Sequence, residues 1–119
     1  MQQAQVLLTA QDWETCQQAI PQGGLLIFKF SPRCPISRGV EHDFDDWCAQ
    51  LPADTALRCV KVNVVETREL SQQISQELHV WHESPQAIWL APDRQVRWDA
   101  SHRAISPQAL TTQLRALAG

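Results

Sequence analysis

The sequence predicts an α/β fold, with a central mixed sheet covered by helices on both faces and elements in the order β-α-β-α-β-α-β-β-α. Three observations carry that prediction. Strand-like and helix-like patterns alternate through most of the chain, which requires parallel pairing through crossovers. The apolar run 25–30 ends on a single cysteine between prolines, in Ser31-Pro32-Arg33-Cys34-Pro35-Ile36-Ser37, and a helical pattern starts at once. A Ser84-Pro85 step leads directly into a later apolar strand.

Each element has its own local reason. Val6-Leu7-Leu8 is a short strand candidate. Thr9 stands three residues before Asp12, a capping-box spacing, and Trp13, Cys16 and Ile20 recur at helical intervals. Gly23-Gly24 breaks the chain. Residues 25–30 are continuously apolar except for Lys29, as suits a central strand covered on both faces. Ile36, Val40, Phe44, Trp47 and Leu51 form one apolar stripe, with Glu41, Asp43, Asp45 and Asp46 mostly off it. That predicts a helix from about 35 to about 50, ended by Pro52. Residues 57–65 are rich in β-branched side chains and read as a strand. Leu70, Ile74 and Leu78 give a third helix, and HESPQAIWL gives the strand entered through Ser84-Pro85. Pro92-Asp93-Arg94 is a turn, and residues 95–99 alternate in character, as an edge hairpin partner does. Ser106-Pro107 is an N-cap followed by proline at the first helical position, and Leu110, Leu114 and Leu117 mark the last helix.

Composition bounds the function. The 119 residues suit one compact domain, 1–119, able to bury a core without disulfides. A 44% hydrophobic and 19% charged chain is globular, not disordered. The net charge of −3, with no basic cluster, argues against nucleic acid and against an anionic membrane as partners. No apolar run is long enough to span a bilayer. Met1-Gln2-Gln3-Ala4-Gln5 lacks a basic n-region, so no secretory signal is expected. The expected location is a reducing cytoplasm, where four cysteines stay thiols unless one does chemistry.

Cys34 is the cysteine placed for chemistry. At a helix N-cap it faces the unpaired first-turn N–H groups and the positive end of the helix dipole. Pro35 at the first helical position lacks an N–H that would have no partner anyway. Arg33 adds a cation next door, and Arg38 stands one turn on. All of these favour thiolate, the nucleophile of thiol–disulfide exchange. The bland alternative is a buried structural cysteine; polar Arg33 and Ser37 beside it favour exposure. Ser37 stands where a second cysteine would complete C-x-x-C. Without that cysteine no internal disulfide forms, so an outside thiol must resolve the adduct on Cys34. The Ser37 hydroxyl either donates to the thiolate or is an ordinary first-turn serine.

The succession of elements resembles the thioredoxin arrangement, a thioredoxin-like fold. RCPIS at 33–37, HESPQ at 82–86 and ASH at 100–102 behind Trp98 together resemble the monothiol bacilliredoxins, the YtxJ-like thioredoxin-fold proteins. The resemblance implies that Cys34 is an attacking thiol. It implies no tightly bound cofactor, a low-molecular-weight thiol (bacillithiol or glutathione) as co-substrate, and S-thiolated cytosolic proteins as partners. It also places a cis Ser84–Pro85 bond opposite the cysteine, with the Ser84 backbone open to pair with substrate. Ser101 and His102 then lie on a loop near the site, where His102 is either a proton-transfer assistant or a solvent-exposed loop histidine. Phe30 and Pro32 stand where the family usually has His and Thr.

Two other functions remain readable. One is a module that shares an iron–sulfur cluster through a C-x-x-S cysteine, although the Gly-Phe typical inside that motif is missing. The other is a non-catalytic interaction domain. Cys16 and Cys59 read as small core hydrophobes. Cys48 lies fourteen residues from Cys34, about 21 Å along a helix and too far for a disulfide. His79 and His82 have a possible metal spacing, but nothing completes a site, so no metal is expected. The five tryptophans read mostly as core or pocket wall.

Overall fold

A computed structural model describes residues 4–118. Met1, Gln2 and Gln3, part of the stretch read for a targeting signal, lie outside the described residues, as does Gly119. The elements run β1 (Gln5–Val6), α1 (Ala10–Cys16), β2 (Leu25–Phe30), α2 (Pro35–Ala49), β3 (Arg58–Asn63), α3 (Arg68–Leu78), β4 (Gln86–Leu90), β5 (Val96–Ser101), a 3₁₀ turn (His102–Ala104) and α4 (Pro107–Ala118). Five strands form one sheet in the order β1-β3-β2-β4-β5. β1 and β2 pair parallel with β3, while β4 is antiparallel to β2 and β5 to β4. The sheet is therefore mixed, and its central strand is the apolar run that leads to Cys34.

Strand alternation divides the core into two layers. Leu26, Phe28 and Phe30 of β2 pack with Val40, Phe44 and Trp47 of α2 and Leu110 of α4. Leu25 and Ile27 pack on the other face with Trp13 and Cys16 of α1 and Leu70 and Ile74 of α3. Phe28 stacks on Phe44 at 4.5 Å between ring centroids. Trp47, Trp89 and Trp98 form an edge-on row. The buried indoles of Trp13 and Trp89 donate to Glu77 Oε1 and to the Gly23 carbonyl, so burying them strands no N–H. Trp81 lies outside the core, 91% exposed.

Some boundaries shift for identifiable reasons. β1 ends at Val6, and although Leu7 still donates to the Lys61 carbonyl, Leu8 turns away. Asp12 Oδ2 accepts from the Leu8 and Thr9 N–H groups while Thr9 caps Asp12, and this capping box pulls the chain out of the sheet. α1 stops at Cys16, short of Ile20, which packs against the core from outside the helix. β3 stops at Asn63, whose Oδ1 accepts from the Val65 and Glu66 N–H groups and bends the chain. Gly24 has φ +102°, and a Cβ there would lie 2.4 Å from the Leu90 carbonyl oxygen. Only glycine fits both the angle and the space.

Candidate active site

Three chain segments meet at one end of the sheet. Lys29, next to last in β2, lies opposite Gln86, the first residue of β4. Gln86 in turn lies opposite Ser101, the last residue of β5. The exit of β2 toward Cys34, the entry to β4 through Ser84-Pro85 and the exit of β5 into His102 therefore share that end.

Cys34 is the N-cap of α2, with extended backbone (φ −105°, ψ 120°), and Pro35 opens the helix. The cysteine side chain makes no capping hydrogen bond. It is half-buried, while Cys16, Cys48 and Cys59 are all buried. Ser31 organises the loop that presents it. The Ser31 carbonyl accepts from the Cys34 N–H at 3.4 Å, and its Oγ accepts from the Arg33 N–H at 3.3 Å. The Ser31 N–H donates to Ser37 Oγ at 2.8 Å. Ser37 is fully buried, so its hydroxyl oxygen fastens the loop to the first turn of α2. This fastening was not legible in the motif. Arg33 and Arg38 are exposed, and among the described residues neither pairs with a carboxylate. Their charge therefore stays available to an anion at the site.

The facing lip is Ser84-Pro85, joined by a cis peptide bond. The Pro85 carbonyl accepts from the His102 N–H at 2.9 Å, which ties the lip to the end of β5. Among the described residues no backbone hydrogen bond takes up the Ser84 N–H or C=O, and its buried Oγ has no partner. The His102 ring turns to Glu83, with Nε2 3.6 Å from Oε2, and is half exposed. No hydrogen bond joins it to Cys34 among the described residues, which fits the exposed-loop reading.

Behind the lip lies a cluster that pattern reading did not assemble. Lys29 is fully buried on the α3 face of the sheet. Its ammonium donates to the Ser71 carbonyl at 2.8 Å and to Ser75 Oγ at 2.6 Å, and lies 3.5 Å from His82 Nδ1. With no carboxylate among these partners, burial pushes the lysine down from 10.5 to about 8. Burial, then the Lys29 charge, also lowers His82. The signal was the interruption itself, since a charge in the run 25–30 had to be buried and hydrogen-bonded.

A groove of about 640 Å³ runs beside the motif, between Pro35, Ile36 and Val40 of α2 and Arg103, Ile105 and Ser106. A hollow of about 800 Å³ lies on the far side of the lip, bordered by Ser75, His79, Trp81 and His82. The other cysteines belong to the core. The neighbouring Cys48 thiol, together with burial, pushes the Cys59 thiol far up. Burial raises Cys16 to about 11. Both effects make a thiol inert toward exchange. Among the described residues no group of three His, Cys, Asp or Glu is placed to hold a metal ion.

The sequence matches the monothiol bacilliredoxin family, BrxC, over residues 5–110. The chain belongs to that family. The match supports a thiol oxidoreductase role. Among solved structures, a protein described as an oxidoreductase with a thioredoxin fold superposes with a TM-score of 0.78 at 24% identity, covering 92% of each chain. The thioredoxin of Malassezia sympodialis gives 0.75 at 16% identity, covering 100% of this chain and 94% of its own. That of Fasciola hepatica gives 0.74 at 16%, covering 95% and 98%. At these identities the likeness establishes the thioredoxin fold. Among the described residues no helix is long and apolar enough to cross a membrane.

Proposed function

We propose that this bacilliredoxin-family protein removes a low-molecular-weight thiol from protein mixed disulfides by a one-cysteine route. The Cys34 thiolate attacks the small-thiol sulfur of protein–S–S–R. The S–S bond breaks, the target leaves as its thiolate, and Cys34 carries R as a new disulfide. A second small thiol, as thiolate, attacks the R sulfur, releasing Cys34 thiolate and R–S–S–R. In sum, protein–S–S–R and one free small thiolate give the target thiolate and R–S–S–R, so each turnover consumes one free small thiol. Arg33 stabilises the thiolate, Pro35 opens the helix whose positive end faces it, and Ser37 holds the loop in place. The unpaired Ser84 backbone is where an extended substrate segment aligns, with Pro85, Ser101 and His102 around it.

The observation that carries this reading is the distribution of the thiols: Cys34 alone reaches the surface, and the other three are buried. That burial supports leaving the adduct on Cys34 to an outside thiol. Bacillithiol or glutathione, in a cytoplasmic setting, fits as co-substrate, and no tightly bound cofactor is needed. Intact-mass spectrometry after incubation with oxidised bacillithiol, oxidised glutathione and coenzyme A disulfide tests it. One adduct should form, absent in Cys34→Ser and removed by free thiol. A disulfide between Cys34 and another cysteine of the chain would overturn it.

A further inference from the structure

We propose that Lys29 is a positioning residue for exchange at Cys34, acting through His82 on the 79–85 segment that carries Ser84 and Pro85. The inference rests on the reading that the lip aligns a substrate segment. It adds what holds the lip.

A buried ammonium costs stability unless its donors are matched. Lys29 meets only neutral acceptors, two of them on α3. Its third neighbour is His82, and His82 Nδ1 also lies 3.4 Å from Ser71 Oγ. After α3 ends at Leu78, the chain crosses to β4 with few fastenings. Val80 N–H donates to the Ser75 carbonyl, and Gln86 Nε2 donates to the Trp81 carbonyl at 2.7 Å. Gln86 is the residue directly opposite Lys29 in the sheet. Two neighbouring polar side chains, one from β2 and one from β4, thus hold the segment from its core side. Ser84 is two residues beyond His82, so movement of the histidine shifts the backbone offered to substrate. A displaced lip pairs less well with the substrate segment and so weakens its binding, which raises KM more than it lowers kcat.

The contact has a protonation requirement. Lys29 can only donate, so the contact needs His82 Nδ1 as acceptor, which a neutral ring with its proton on Nε2 provides. The charged groups around it are Lys29 on β2, Arg68 on α3 and Glu83 beside it in the chain. Glu83 is shared with His102. A proton on Nδ1 sets a second cation against the ammonium, so the contact holds at neutral pH and fails in acid.

The test uses the wild type, Lys29→Met, His82→Leu and His82→Asn. The substrate is a short peptide whose cysteine carries bacillithiol or glutathione. Steady-state rates, Cys34 alkylation by iodoacetamide and amide hydrogen exchange are read on each protein. Because His82 is exposed, its variants leave the core intact. Lys29→Met and His82→Leu should raise KM for the peptide about tenfold with little change in kcat, while alkylation of Cys34 is unchanged. Amides of 79–86 should exchange about tenfold faster, with β2 and β3 unaffected. His82→Asn keeps a neutral acceptor at the δ position. It should retain the wild-type KM and abolish the rise in KM expected of the wild type in acid. Unchanged KM and unchanged amide exchange in both Lys29→Met and His82→Leu would overturn the proposal. If the wild type turns over no peptide, the proposed function fails. Hydrogen exchange still decides the positioning claim: acceleration confined to 79–86 supports it, and none overturns it.

Discussion

Replacing Lys29 by methionine should change how stability depends on pH, in a direction fixed by burial. In the folded protein the lysine loses its proton near pH 8, against 10.5 for an ordinary lysine. Between those values the unfolded chain holds a proton that the folded chain has released. Raising the pH through that window therefore stabilises the fold. The Lys29 contribution is fully present above 10.5, shrinks as pH falls, and is gone below 8. At about 1.4 kcal/mol per pH unit, the change across the window comes to about 3 kcal/mol. Other groups work the opposite way at the same pH. The Cys16 thiol, raised to about 11, stays protonated in the fold where the unfolded thiol ionises, so its contribution is lost as pH rises. Lys61, raised by Glu41 and Asp45 against the opposing effect of burial, also loses its contribution at high pH. Subtracting the variant from the wild type removes these shared terms. Urea titrations of both proteins under reductant, from pH 7 to 10.5, give the difference in unfolding free energy. It should be flat up to about pH 8 and then climb in favour of the wild type by about 3 kcal/mol. A flat difference over the whole range would refute the argument, because Lys29 would then titrate as it does in the unfolded chain.

The remaining predictions concern the motif and the turn before β2. Brief iodoacetamide labelling near neutral pH, read by peptide mapping, should modify Cys34 well before Cys16, Cys48 or Cys59, which are buried; labelling led by Cys48 would reassign the nucleophile. Ser37→Cys should create a C-x-x-C pair that closes on itself, leaving an oxidised monomer about two mass units lighter in place of the small-thiol adduct. It should also lose the strong 2.8 Å anchor of the Ser31 N–H, visible as faster exchange of that amide. Gly24→Ala forces a Cβ to 2.4 Å from a backbone oxygen at φ +102°, and should cost roughly 2–4 kcal/mol in urea unfolding while leaving Cys34 alkylation unchanged.

What the sequence made legible is what depends on neighbours in sequence. The strand at 25–30, the start of α2 at Pro35 and the α4 cap, with Ser106 Oγ accepting from the Ala109 N–H, are local patterns, and each stands where the pattern put it. β1 was harder. Its length depends on a capping box that competes for the Leu8 N–H, and its place at the sheet edge beside β3 depends on a partner 55 residues away. The same division runs through the site. Cys34 at an N-cap is visible in seven residues. The anchoring of Ser31 by Ser37 is also short in range, but its direction is not: a serine hydroxyl both donates and accepts, and only the folded loop shows an N–H pointing at it.

Lys29 is the case where sequence raised the question and only tertiary structure could answer it. A lysine in a central strand must find acceptors, and sequence alone does not say whether they are carboxylates or neutral groups. The difference decides the chemistry. A carboxylate would have made an ordinary ion pair, as the buried Lys61 makes with the partly exposed Glu41 and Asp45 one strand away. There the salt bridges hold α2 to the sheet and raise the lysine. Lys29 has instead a carbonyl, a hydroxyl and an imidazole, 42 to 53 residues away, and its proton is held loosely. Two lysines on neighbouring strands therefore do different work. One fastens the helix that carries the cysteine. The other fastens the segment that faces it, and only the second does so through an imidazole whose protonation burial disfavours.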